Sequence, residues 1–219
     1  MNNLDIALAE LLKIFNVFNK ELFEDVLPEP IFVIQSSCRK NINGWFSVNQ
    51  VWRNTNIELD ETSKLEKLDK NEIVLIAEKL NRSVESIAET VLHECCHYWN
   101  IICDVKDTSG IHHNKYFKET AEKYGLNVEK DKKFGWGRTS FNERGLEVFK
   151  TININPKAFS FYRIAEIKPE KEKHTTYKYI CPECGTKFTL KHDIDARCKD
   201  CNIDFDVEIK EVEDVELEK

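Results

Sequence analysis

The sequence contains no apolar run approaching the ~18 residues that a membrane-spanning helix requires. It has no basic start leading into an uninterrupted apolar stretch and a small-residue cleavage site. No internal repeat is present, and no low-complexity tract apart from an acidic C-terminal tail. These absences argue against a helical membrane protein, a secretory leader and a repeat array. The chain also lacks a positive balance of charge: 32 Lys and Arg stand against 39 Asp and Glu, a formal net charge of −7 at pH 7. A protein that simply coats nucleic acid works through clustered Lys and Arg, so that class is disfavoured. The charge is uneven, however. From Arg163 to His192 there are seven Lys/Arg against four acidic residues, and the segment after Phe205 is strongly acidic.

What is present is an ordinary globular balance: 219 residues, 41% hydrophobic and 32% charged. That is enough for one medium domain with a small appendage, or for two small domains. Leu4, Leu8, Leu11, Phe15, Phe18 and Leu22 recur at helical spacing, which makes the first 25 residues an amphipathic helix on a core. After Pro28 and Pro30, Ile31–Ile34 reads as a strand, and Gly44–Val48 and Asn56–Leu59 as two more. Residues 71–80 read as a helix. Ser83 would cap the next helix, which runs to about Asn100 with Ile87, Val91, Cys95, Tyr98 and Ile102 on one face. Another helix is expected from His113 to Tyr124, stopped by Gly125, and a short one around Asn142–Lys150.

Eight cysteines could mean a disulfide scaffold, but four of them form two CxxC pairs, Cys181/Cys184 and Cys198/Cys201. That is metal-ligand spacing, and thiolates free to bind metal imply a reducing compartment; a cytoplasmic location is the expectation. Thirteen residues separate the pairs. Two tight turns would each direct two thiolates at one ion and close a tetrahedral structural zinc site, forming a zinc ribbon. Between Cys181 and Cys201 four basic residues face four acidic ones, so the ribbon's own charge does not favour phosphate. The remaining cysteines, Cys38, Cys95, Cys96 and Cys103, are scattered. Those in or next to the HECCH helix read as small buried apolar residues.

His93-Glu94-Cys95-Cys96-His97 satisfies H-E-x-x-H. On a helix, side chains four apart project from one side, so both imidazoles can reach one cation. Glu94, beside the first ligand, is placed to take a proton from water rather than to bind the metal. The third ligand sets the subclass. Asn100 and Cys103 stand where HExxHxxGxxH demands Gly and His, which excludes that class. Glu119 or Glu122 on the later helix would give a thermolysin-like centre, whereas His112 or His113 would give three imidazoles. Adjacent helical side chains diverge by about 100°, so one of the two histidines should face the metal. Tyr98, Trp99 and Trp136 are read as core residues or as cleft walls.

The HExxH helix, a histidine after a short loop and a C-terminal four-cysteine ribbon together resemble the SprT-like metallopeptidase family, which includes the Spartan proteases. His113-Asn114-Lys115-Tyr116-Phe117-Lys118 is similar to that family's third-ligand segment, with Phe four places after the histidine, and this phasing favours His113 over His112. Asn114 departs from the Gly common there. The resemblance covers about residues 4–126 and 177–207. It implies an α+β fold: a zincin-like metallopeptidase domain, helices on a small sheet, within 1–167 (129–167 being unexplained by it). A charged linker at 168–176, a zinc ribbon at 177–207 and an acidic tail at 208–219 complete the expected organisation. The implied activity is zinc-dependent endopeptidase hydrolysis of a protein substrate, extending to DNA-associated or crosslinked proteins, with DNA a candidate partner and no membrane. Two Zn2+ ions are expected. His93, His97 and His113 would hold the catalytic one with Glu94 as catalytic residue, and Cys181, Cys184, Cys198 and Cys201 the structural one. The alternatives are a non-catalytic zinc-stabilised adaptor binding DNA or protein, and hydrolysis of a non-peptide amide.

Overall fold

A computed structural model describes residues 3–37, 41–52, 70–164 and 173–213. The chain divides into two compact units, residues 1–165 and 166–219. The strand expected at Asn56–Leu59 and the cysteine at position 38 lie outside the described residues.

In the first unit, α1 (Asn3–Phe23) buries Leu11, Ile14, Phe15, Phe18 and Leu22 along one stripe, as a surface helix must to shed apolar area from water. The helix ends in a turn held by Asn19, whose side chain donates to Leu27 O and accepts from Leu27 N. A three-stranded sheet follows, in the order β1 (Ile31–Gln35), β3 (Glu72–Ile76), β2 (Gly44–Phe46). β1 runs parallel to β3 and β2 antiparallel to it.

β3 replaces the helix expected over 71–80; only a single 3-10 turn, Ala77–Lys79, follows it. The physical reason is burial on both faces. Ile73, Val74 and Leu75 are all fully inside, and a central strand reads as a continuous apolar run, without the alternation that marks a half-exposed strand. Helix α2 (Val84–Ile102) is capped by Ser83, whose hydroxyl accepts from Ser86 N. Ile87, Ala88, Val91, Leu92 and Cys95 face the core. Ile102, expected on that face, is exposed at the helix end.

The second sheet has the order β4 (Thr108–Ser109), β5 (His112–His113), β7 (Gly135–Phe141), β6 (Leu126–Asp131), with β5 parallel to β7 and the other pairs antiparallel. Helix α3 (Lys115–Lys123) lies between β5 and β6, and α4 (Glu143–Thr151) follows β7, close to the helix expected at Asn142–Lys150. Gly125 ends the α3 segment at φ +112°, a conformation side chains disfavour.

In the second unit the sheet order is β10 (Asp206–Glu213), β8 (Lys173–Ile180), β9 (Lys187–Leu190), all antiparallel. Tyr179 stacks on Phe188 (4.8 Å between centroids), and Phe205 meets Phe188 edge-on. β8 starts inside the segment expected as linker, and β10 runs to Glu213 inside the expected acidic tail. The reason is period-2 patterning: Val207 and Ile209 pair with Tyr179 and Tyr177, while Glu208 between them meets Lys178 at 3.0 Å. The acidic composition of the tail obscured that alternation.

A three-histidine centre in a cleft and a four-cysteine cluster

Three elements meet at one end of the first unit. α2 brings His93 and His97 one turn apart on the side opposite its core face. β5 brings His113. The rings converge through their Nε2 atoms: His113 Nε2 lies 3.2 Å from His93 Nε2 and 3.1 Å from His97 Nε2. His113 sits on a strand and not on the helix expected from that residue. Side chains of successive strand residues point to opposite faces, so His112 is turned away and exposed, and the choice between the two is made by alternation rather than by a helical 100° step. Asn114 is the N-cap of α3, accepting from Tyr116 N and Phe117 N. The α3 helix in turn places Phe117, wholly buried, with its ring centroid 4.5–4.6 Å from each of the three imidazoles.

Each ring is held at its other nitrogen. His97 Nδ1 is 2.7 Å from Asp107 Oδ2, His113 Nδ1 is 3.0 Å from Phe134 O, and His93 Nδ1 is 3.0 Å from Thr139 Oγ1. A carbonyl or carboxylate oxygen only accepts, so His97 and His113 carry their protons on Nδ1 and present bare lone pairs at Nε2. Those lone pairs face each other at 3.1 Å. Burial, and then the neighbouring His97 and His113, hold His93 well below the usual histidine range. Burial and then His97 push His113 down to about 4. Imidazoles aimed at one point could hold a metal ion. Ligands at the Zn–N distance of about 2.0–2.1 Å and a tetrahedral angle lie about 3.3–3.4 Å apart, close to the spacing found.

Glu94 is 4% exposed and borders the same cleft, of about 960 Å³, which is also lined by the β2 residues Gly44, Trp45 and Phe46. Burial raises its carboxyl to about 7, while His97 and the Phe46 N–H, which donates to it, favour the charged form. Asp107 is pushed up by burial, but the hydrogen bond and charge of His97 win and hold it below the ordinary aspartate value.

The model of the SprT-like family matches residues 11–134, more than half of the chain, and spans all three histidines and Glu94. The chain belongs to the SprT-like family. No match was found among curated proteins or solved structures. In this SprT-like protein the family match ends at Phe134, so β7, with Thr139 and the glycines that pass beside the rings, lies beyond it.

Asp107, Thr139, Phe134 and Gly137 were not singled out from the sequence. Asp107 lies in the short loop before His112, and the others in residues 129–167, which the resemblance leaves unexplained. Glu119 and Glu122 take no part in the histidine cluster. Cys95 and Cys96 are fully buried, and burial drives both thiols well above their normal range. Cys103, expected to be buried too, is exposed at the C-cap of α2, where the helix face turns to solvent. Tyr98 stacks on Phe46, and Trp99 packs with Phe23 and Tyr124 as core. Trp136 is half-buried, with the ammonium groups of Lys118 and Lys130 over its ring.

Gly137 passes so close that an added Cβ would meet His113 Nδ1 at 2.6 Å. The ring is pinned by Phe134 O and Phe117 and has little room to yield. Gly137→Ala is therefore expected to weaken metal binding at this centre by about ten- to a hundredfold, the usual effect of disturbing a ligand's supports. Chelator competition would measure it, and unchanged affinity would show that the ring can shift.

In the second unit Cys181, Cys184, Cys198 and Cys201 bring their Sγ atoms within 4.8 Å of one another. Two equivalent turns do this. Cys181 N donates to Thr186 O and Gly185 N to Cys181 O; Cys198 N donates to Ile203 O and Asn202 N to Cys198 O. Gly185 and Asn202 both adopt positive φ, which such turns need. Hydrogen bonds from Thr186 bring the Cys184 thiol down to about 6, while the neighbouring Cys184 and burial push the Cys201 thiol up. This four-cysteine cluster fits a zinc ribbon.

Proposed function

We propose that the chain is a zinc-dependent endopeptidase, with His93, His97 and His113 holding the catalytic ion and Glu94 as the catalytic residue. The observation that carries this reading is the convergence of three imidazole Nε2 atoms beside a buried carboxylate in a cleft. A zinc ion held by these three rings would supply a Lewis acid for the scissile carbonyl and would lower the pKa of water toward ~7. Glu94, lifted into the same range by burial, is placed to accept a proton from the attacking water and to return it to the leaving amine. Asp107, Phe134 O and Thr139 keep the rings aimed, and Phe117 excludes water from beneath them. The four-cysteine cluster, with no open position, serves as a structural zinc site.

Proteins associated with or crosslinked to DNA are the substrate class that the family resemblance implies, and the modest basic excess between Arg163 and His192 is compatible with it. No helix among the described residues is long and apolar enough to cross a membrane. Buried unpaired Cys95 and Cys96 and the four-thiol cluster favour the reducing cytoplasm.

Zinc analysis of the purified chain is expected to give two equivalents, and His113→Ala one equivalent with loss of cleavage of a denatured protein. A full second equivalent accompanied by no hydrolysis of any denatured or DNA-bound polypeptide would favour the adaptor reading instead.

A further inference from the structure

We propose that Asp107 is a positioning residue that ties the two ligand-bearing segments together, its side chain aiming His97 and its main chain anchoring the turn that carries His113. The proposal rests on the reading of the three histidines as metal ligands. Asp107 is 5% exposed, and its carboxylate oxygen Oδ2 accepts twice: from His97 Nδ1 at 2.7 Å and from Asn100 Nδ2 at 2.9 Å. Its backbone oxygen accepts from Asn114 N at 2.9 Å, and the Asn114 amide donates to Lys106 O at 2.8 Å. Asn114 directly follows His113 and caps α3, the helix that sets Phe117 under the rings. One residue thus holds α2 and the β5–α3 turn in register.

The chain continues outward. Thr120 Oγ1 on α3 donates to Asn100 Oδ1 at 2.7 Å. This bond has a direction. By occupying the amide oxygen it leaves the Asn100 NH2 group facing Asp107; a flipped amide would set oxygen against carboxylate. Thr120, Asn100, Asp107 and His97 form a part-buried series that converges on the carboxylate: Thr120 donates to Asn100, Asn100 to Asp107, and the His97 Nδ1–H to Asp107 from the other side. Its effect is to fix the His97 proton on Nδ1, to stop the ring turning, and to make Nε2 a better electron donor.

The test uses the full chain as purified. Cobalt(II) is the probe, because thiolate charge-transfer absorption marks the four-cysteine centre alone and separates it from the histidine centre. Asp107→Ala is expected to weaken binding at the histidine centre by about ten- to a hundredfold. Asp107→Asn keeps an acceptor but not the charge and should lose less. Thr120→Val should cost a few-fold alone and nothing further in combination with Asp107→Ala, because the series is already cut. The visible bands of the histidine-bound cobalt should shift in Asp107→Asn, which a residue that merely supports the fold would not cause. Should Asp107→Ala fail to fold, the other two variants decide the matter. Unchanged affinity and spectrum in both, whatever the metal-free melting temperature does, would overturn the proposal. A wild-type chain that takes up cobalt only at the thiolate centre would overturn the metallopeptidase reading and this one with it.

Discussion

Glu94→Gln is expected to lower cleavage of a denatured protein by about 10²–10⁴-fold while zinc content and melting temperature stay near those of the parent chain. The substitution is nearly isosteric in a buried position, and glutamine keeps an oxygen to accept from the Phe46 N–H. What it removes is the one group in the proposed mechanism able to carry a proton between water and the leaving amine. The three rings are held by Asp107, Phe134 O and Thr139, none of which depends on the Glu94 charge for its hydrogen bond. Metal retention and loss of turnover should therefore separate cleanly. Full turnover in the variant would remove Glu94 from the mechanism; a loss of zinc in parallel would assign it to holding the site.

The second large effect concerns the ribbon. Removing its metal, or replacing Cys198 by Ser, is expected to abolish the ordered structure of the second unit while the first unit melts as before. Among the described residues of that unit, Tyr179, Cys181 and Cys198 are the hydrophobic ones fully withdrawn from water. Two of them are proposed metal ligands. A stack of Tyr179, Phe188 and Phe205 and a long two-stranded ladder cannot offset the entropy of ordering such a small unit. A structural zinc ion contributes on the order of 10–16 kcal/mol in comparable small domains, so its loss is decisive. Amide hydrogen exchange across β8 and β10 would read the outcome directly. Protection that survived chelation would show that the ladder stands without the cluster.

Chain spacing alone placed several of the parts. His93 and His97 share a side because they are four apart on a helix whose apolar stripe and Ser83 cap are local signals. The two CxxC turns are likewise local, whereas His113 is favoured over His112 only by resemblance to the family's third-ligand segment, with Phe117 four places on. Other parts had no local trace. β3 looked like a helix because a strand covered on both faces carries no alternation. The strand geometry that separates His113 from His112 comes from pairing with β7, itself in a segment that showed no pattern.

What the sequence determined by itself was the inventory and spacing of chemistry: two imidazoles and a carboxylate on one helix, a third imidazole downstream, four thiols in two turns, and membership of the SprT-like family over residues 11–134. What tertiary structure alone decided was orientation. Thr139 stands 46 residues from His93 and Phe134 21 from His113. Which nitrogen each ring presents depends on such distant partners, because a hydrogen bond's direction arises from packing between elements and leaves no short-range periodicity in the chain.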